Sequence, residues 1–473
     1  MGLPPSSGNV ARMPARPGAS PQTPADTREA GLHRQLSAGQ MAMVGVGGSI
    51  GTGLLLGSGA AIQIAGPAVI FSFLVAALIS WTVTVAFGEM ASLHPAAGSF
   101  GVYAELYLNS WAGFISRYGL WLALAIAIGS EMVAAATYMS FWLPQIQPLV
   151  WVAVFSAVLV GINLRSVGGF GEVEYWFAMV KLITIVAFIV IGAIFLLDGR
   201  VAPQYTAHGG FFPKGIWAPG AAMSFALFTF AGVEMVAVSS GESRSAGDMP
   251  RAVLTTFGIL TFVYLGAIAI LVGVMPWNGA GVTESPFVTV FRIAGLPAAS
   301  NIMNFVVLTA ALSGANASLY VDSRMLFSLA RGGYAPARFG RLTHAGAPLL
   351  ALLASCFGII LALIFERWAP QSAYVSLLGA ALFGVMLVWL VTLSAHIGFR
   401  RKLSPAQLSA LSMRPRGRVW LSVVGIVTVL ASLVGTWFYS HLIVVSGIIY
   451  VVVLTLFYLA MKKSSADITM LRP

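Results

Sequence analysis

Residues 45–59 read GVGGSIGTGLLLGSG, with seven glycines (Gly45, Gly47, Gly48, Gly51, Gly53, Gly57 and Gly59) inside an otherwise apolar run. Glycine costs a helix roughly 1 kcal/mol per interior position relative to alanine. A continuous helix is therefore poorly supported by this stretch. Close helix packing would use Gly47 with Gly51, or Gly53 with Gly57, but it does not call for seven glycines. A phosphate-cradling loop would need a following Lys and a preceding strand, and neither is present. An unwound segment remains, and its freed amides need partners because hydrocarbon offers none. A carboxylate on the amides of Thr52 and Gly53, at the positive end of a half-helix, meets that need.

A second stretch, FALFTFAGVEMVAVSSGES at 225–243, carries Gly232 and Glu234 in mid-span. Taken alone, Gly232 reads equally well as a packing residue and Glu234 as a paired structural charge. Taken with 45–59, the pair reads as a receptor. If Phe230, Ala231 and Gly232 are non-helical, neighbouring carbonyls are open to an ammonium group. One break then offers N–H donors and the other C=O acceptors, which suits an α-amino acid zwitterion. Gly48 and Gly232 are 184 positions apart, about five spans. Broken helices at corresponding places of two repeats are a strong sequence pointer to a transport site.

The rest of the chain fits that reading. Of 473 residues, 58% are hydrophobic and only 9% charged, against roughly 25% charged in soluble domains. Apolar segments fall near 41–60, 67–87, 112–143, 149–164, 172–197, 218–240, 253–275, 297–330, 348–365, 372–397, 419–439 and 441–461. Most are long enough to span a bilayer. The expected fold is an all-α polytopic membrane protein with twelve transmembrane helices and a five-plus-five inverted repeat, helices 1 and 6 being broken. The expected divisions are a disordered cytoplasmic tail at 1–40, a transport core at 41–397 (repeats 41–197 and 218–397), two peripheral helices at 419–461 and a cytoplasmic tail at 462–473. The tail at 1–40 has no apolar core and is not a secretory signal. The single Cys356 permits no intrachain disulfide.

Net charge is +11, yet the basic residues sit in short loops and tails rather than on one face, which argues against nucleic acid. With the N-terminus inside, 21 of the 26 Lys and Arg fall on inner segments and four on outer ones (Arg200, Lys214, Arg292, Arg367). Lys181 lies within a span. This asymmetry places both termini in the cytoplasm of a multi-pass protein of the cytoplasmic membrane.

Charges inside spans are costly and are functional candidates by default. Lys181 lies two to three turns into 171–192, where its ammonium can stand in for a cation near the first break. Glu131 is mid-span in 128–142 and can line a cavity. Glu234 can carry a proton or pair with Lys181. Glu89, Glu105, Asp322 and Arg324 lie near inner ends and read as gate or topology ion pairs. The six histidines are scattered without metal-ligand spacing, and no catalytic cluster stands out. No metal, cofactor or enzymatic role is expected.

Six motifs in order carry a family resemblance: GGSIGTGLLLGSG (47–59), GPAVIFSF (66–73), GEMASLHPAAGSFGVYAE (88–105), GEVEYWFAMVK (171–181), FAGVEMVAVSSGES (230–243) and SGANASLYVDSRMLFSLARGGYAPARF (313–339). Over about residues 34–463 the chain resembles bacterial amino acid permeases of the amino acid/polyamine/organocation superfamily, in its amino acid transporter branch. The resemblance implies alternating access. It also implies that Ile50, Gly51, Thr52 and Gly53 receive the substrate carboxylate, while carbonyls at Ser49, Phe228 and Ala231 receive its ammonium. Phe228 or Phe230 would occlude the site. Lys181 would replace the sodium ion of related transporters and serve proton coupling. Glu131, Ser313 and Ser318 would face the substrate. The sequence departs from the family pattern in GLLLGSG, where GLFLGSG is usual, and in the Ala and Met of FAGVEM.

The function this implies is amino acid uptake by proton symport, the partners being an amino acid, a proton and the bilayer. An amino acid exchanger would use the same fold and site. A non-transporting sensor would need an output domain that the short tails do not supply.

Overall fold

The computed structural model describes residues 38–93, 99–165, 170–232, 248–343, 348–404, 407–408, 411, 418–439 and 441–464. Glu234, most of the N-terminal tail and residues 465–473 lie outside these. Among the described residues every regular element is helical. Among the described residues nine helical stretches are long and apolar enough to cross a membrane, so the chain is a polytopic membrane protein. Two further apolar helices are shorter, Pro148–Leu164 and Ala218–Thr229.

In chain order the helices are α1 (Ala38–Ser49), α2 (Thr52–Leu55), α3 (Gly57–Ala65), α4 (Val69–Leu93), α5 (Ser99–Tyr107) and α6 (Ser110–Ser140). There follow α7 (Pro148–Arg165), α8 (Phe170–Leu197), α9 (Ala218–Thr229), α10 (Asp248–Val274) and α11 (Pro286–Ile293). The chain continues through α12 (Pro297–Arg331), α13 (Leu349–Ser355), α14 (Phe357–Trp368), α15 (Pro370–Lys402), α16 (Arg418–Tyr439) and α17 (His441–Ser464). Local chemistry sets several ends. Asn109 caps α6 by accepting from the Ala112 amide at 2.9 Å. Proline opens α12 and α15 at a first-turn position where no amide partner is lost.

The long helix α6 is the axis of the molecule. In its most apolar window 78% of residues are buried, against 17% for α17. Glycines bring its neighbours to backbone contact. A Cβ on Gly384 of α15 would stand 2.8 Å from the Gly119 carbonyl of α6. A Cβ on Gly358 of α14 would overlap the Ala125 carbonyl outright. These crossings clamp α6 between α14 and α15 and fix the height at which Glu131 sits.

One feature has no warning in the sequence. The segment expected as a single span at 348–365 is interrupted at Ser355–Cys356, dividing it into α13 and α14. No proline or glycine stands at the interruption. Two residues beyond it, Gly358 packs directly against the Ala125 carbonyl of α6.

Candidate functional site

The first break forms where the glycine run predicts it. Helix α1 stops at Ser49, whose hydroxyl donates back to the Gly45 carbonyl at 2.8 Å. Such bonds compete with the helix and bend it. Gly51 is extended, with φ −127° and ψ −161°. Helix α2 restarts at Thr52, its first backbone bond running from the Leu55 amide to the Gly51 carbonyl at 3.3 Å. The amides ahead of that bond have no carbonyl one turn back to accept them.

Two tyrosines from distant helices hold the break by its carbonyls. Tyr264 of α10 donates to the Ser49 carbonyl at 2.8 Å, and Tyr374 of α15 donates to that of Thr52 at 2.7 Å. Ser49 also accepts from the Gly51 amide at 3.1 Å. Both lone pairs of that carbonyl are thus engaged within the protein. Lys181 is 2% exposed and donates to the Gly47 carbonyl at 3.2 Å, one turn before the break. Neither tyrosine is marked by local sequence; each stands among apolar neighbours on a helix that carries other polar residues as well.

The second break meets the first. Helix α9 ends at Thr229, and residues 231–232 form a turn. Gly232 has φ +105°, in the region that favours glycine. A Cβ there would lie 2.8 Å from Ser49 Cα and 2.9 Å from the Gly48 carbonyl. Gly53 is equally constrained, because a Cβ on it would meet Phe228 Cδ1 at 2.9 Å. The two breaks therefore touch through backbone and one aromatic ring.

Glu131 reaches into this junction from α6. Its Oε1 accepts from the Thr52 amide at 3.3 Å, and a Cβ on Gly51 would stand only 2.8 Å from that same oxygen. Its Oε2 has no hydrogen-bond partner among the described residues. Glu131 thus occupies the amide end of the break.

A cavity opens beside the junction. It is lined by Gly48, Ser49, Gly51 and Gly53 of the first break, Phe228, Ala231 and Gly232 of the second, Glu131 and Ser318. Leu120, Ala123, Leu124 and Ala127 of α6 and Val385 of α15 supply an apolar wall. Phe228 also lines a small void on its other side, with Ser224 and Leu382. Its ring partitions the two spaces.

The structure therefore brings together Ser49, Gly51, Gly53, Glu131, Phe228, Ala231, Gly232 and Ser318, with Thr52 joining through its amide. It does not bring Phe230 to the cavity: that ring is fully buried edge-on against Tyr264, 5.0 Å between centroids. Two positions along a helical backbone point to opposite sides, so only one of the two phenylalanines can face inward. Ile50 is fully buried, and Ser313 is buried outside the lining. Ser318 lies one turn from Gly314, whose Cα faces the Glu131 carboxyl, and shares its face.

The four charges read as end pairs divide. Glu89 is fully buried and receives both Nε and a terminal nitrogen of Arg400, with His396 at 2.8 Å. Glu105 pairs with Arg117 at 2.9 Å and accepts from Tyr334 at 2.9 Å. Arg324 lies over the Tyr320 ring. Asp322 is fully buried with neither oxygen partnered among the described residues.

Paired breaks around one cavity, in a bundle of apolar helices, agree with what comparison gives: residues 40–466 match the amino acid permease family. The chain belongs to that family. The permease is 34% identical over 445 residues to a gamma-aminobutyric acid permease of Bacillus subtilis strain 168, covering 92% of this chain and 95% of the relative. It is 36% identical over 376 residues to the aromatic amino acid transport protein AroP of Escherichia coli strain K12, covering 78% and 82%. It is 32% identical over 454 residues to a probable threonine/serine transporter, YbxG, of Bacillus subtilis strain 168, covering 93% and 97%.

Proposed function

We propose that this permease imports an amino acid by proton symport, alternating between outward-open and inward-open forms. The architecture we assign is twelve spans: two inverted five-helix repeats at 41–197 and 218–397, peripheral helices at 419–461, and both termini cytoplasmic. The broken first segment at 41–60 and the short α7 and α9 account for the three spans beyond the nine long ones found among the described residues. The observation that carries the reading is the contact of the two breaks at Gly232 and Ser49, beside a cavity that Glu131 enters.

In this reading the substrate carboxylate takes the amides between Ile50 and Gly53, and the ammonium takes carbonyls near Phe228 and Ala231. The Thr52 amide already serves Glu131. Two carboxylates at one amide repel each other. A proton on Glu131 removes that repulsion, so substrate and proton enter together. Lys181, tied to the Gly47 carbonyl, holds the break while this happens. Phe228 closes the cavity over the bound molecule. The named relatives handle gamma-aminobutyrate, aromatic amino acids and threonine or serine, which share an ammonium and a carboxylate. Here the remaining wall is Leu, Ala and Val, so the substrate is an amino acid with a neutral, apolar side chain.

The test is uptake of a panel of radiolabelled amino acids into proteoliposomes under an imposed pH gradient, with and without sodium. Accumulation driven by the proton gradient and indifferent to sodium is expected. Sodium-dependent uptake that ignores the gradient overturns symport. Uptake that occurs only against preloaded internal amino acid makes the protein an exchanger.

A further inference from the structure

Asp322 is a fully buried carboxylate that the transport reading leaves unused, and, unlike Glu89, it has no ion-pair partner among the described residues. The polar groups around it are Ser355 and Cys356 at the α13–α14 interruption and Tyr450 of α17. Of these neighbours Tyr450 spends its proton elsewhere, whereas Ser355 accepts a bond and keeps its own hydroxyl proton. Ser355 accepts from the Trp121 indole at 3.1 Å, and the Tyr450 hydroxyl donates to the Tyr118 carbonyl at 2.6 Å, both on α6. On its own helix, Arg324 donates to the Tyr320 carbonyl at 3.1 Å and stacks on that ring. An ionised carboxylate in such a setting takes up a proton or a cation rather than remain bare.

Its place on α12 gives the burial a direction. Gly314, Ser318 and Asp322 are four apart and share one stripe of the helix. A Cβ on Gly314 would lie 3.5 Å from the Glu131 carboxyl, and Ser318 lines the cavity. Asp322 follows one turn further toward the Arg331 end, about 12 Å along the axis from Gly314 at 1.5 Å per residue. That end is the inner one in the orientation given above.

We propose that Asp322 is a second proton-binding site of the permease, the inner station of a route that starts at Glu131 and runs along the Gly314–Ser318 stripe. This rests on the symport reading. The proton leaves the Glu131 carboxyl, passes by cavity water and the Ser318 hydroxyl, and forms the O–H bond of the Asp322 carboxyl. It is given up to water on the inner side when the α13–α14 segment moves away. Each relay oxygen gains one O–H bond and loses another, so the net change is one proton moved from Glu131 to inner-side water.

The test uses Asp322→Asn and Asp322→Glu in proteoliposomes holding the pH dye pyranine, with a mixture of the protein L-amino acids and gamma-aminobutyrate outside. Proton entry is divided by the counterflow rate of the same mixture in the same vesicles. We expect Asp322→Asn to lose at least tenfold in protons per amino acid, while Asp322→Glu keeps proton entry with a displaced pH profile. A ratio in Asp322→Asn equal to that of the parent protein overturns the proposal. If the parent itself moves amino acid without protons, the symport reading fails on its own evidence. Infrared spectra of the purified protein, taken without amino acid, then decide the site separately. The C=O stretch of a protonated carboxyl is expected in the parent and shifted in Asp322→Glu. Identical spectra overturn the assignment, even if Asp322→Asn does not fold.

Discussion

Two sets of buried charge in this molecule are built on opposite plans. Around Glu89, the carboxylate receives Arg400 through two nitrogens and His396 through a third, and His396 reaches on to Ser422 at 2.7 Å. One carboxylate thereby ties α4, α15 and α16 into a closed network. At mid-membrane, Glu131 receives a single amide at 3.3 Å on one oxygen and no partner on the other among the described residues. A closed network has nothing to give to a ligand and everything to lose by deletion. An open one is poorly satisfied until something arrives. The contrast separates charges that hold the bundle from charges that serve the cavity.

Variants that test this contrast rank by size. Glu89→Ala leaves Arg400 without its anion, and breaking a buried pair from one side costs about 3–5 kcal/mol. Thermal unfolding in detergent should show this loss. A change under about 1 kcal/mol would dissolve the distinction between the two sets. Gly232→Ala forces a side chain into a left-handed backbone and against Ser49, at about 1–3 kcal/mol. It should also lower uptake at least tenfold, because the two breaks can no longer meet. Normal uptake by Gly232→Ala would separate the second break from the site.

Glu131→Gln is the sharper probe. It keeps the shape of the side chain and removes the unsatisfied charge, so stability should change by less than about 1 kcal/mol in either direction. Accumulation under a pH gradient should nonetheless be lost. A stability loss as large as that of Glu89→Ala would move Glu131 into the closed set. Ser318→Ala is expected to have the smallest effect. One hydrogen bond of about 0.5–1.5 kcal/mol corresponds to a rise of about 2- to 12-fold in KM, with an unchanged melting point. An unaltered KM would take Ser318 off the cavity wall.

The sequence discloses the parts of this design that rest on composition and fails on those that rest on tertiary contact. Glycine density exposes the break at 45–59 because unwinding is a local property of the backbone. Charge rarity exposes Glu131 and Lys181, since every charge in an apolar span is conspicuous. Phe228 and Phe230 cannot be told apart until the direction of α9 is known, and the structure turns only Phe228 toward the cavity. Tyr264 and Tyr374 pin the first break from α10 and α15, more than 200 residues along the chain, and nothing near them in sequence signals it. Asp322 reads as an end-pair charge from its position, yet among the described residues no cation pairs with it. The α13–α14 interruption lies beside Gly358, which packs against α6, a contact made by a partner more than 200 residues away.

That interruption has a practical side. The sequence contains one cysteine, Cys356, and it stands on the interruption, half-buried and unbridged. The native chain therefore offers a single thiol attachment point at a joint of the bundle, with no competing cysteine to delete. A nitroxide or fluorophore attached there would report movement of α14 against α13 in the unmodified sequence, and its spectrum could be followed as amino acid and pH are varied.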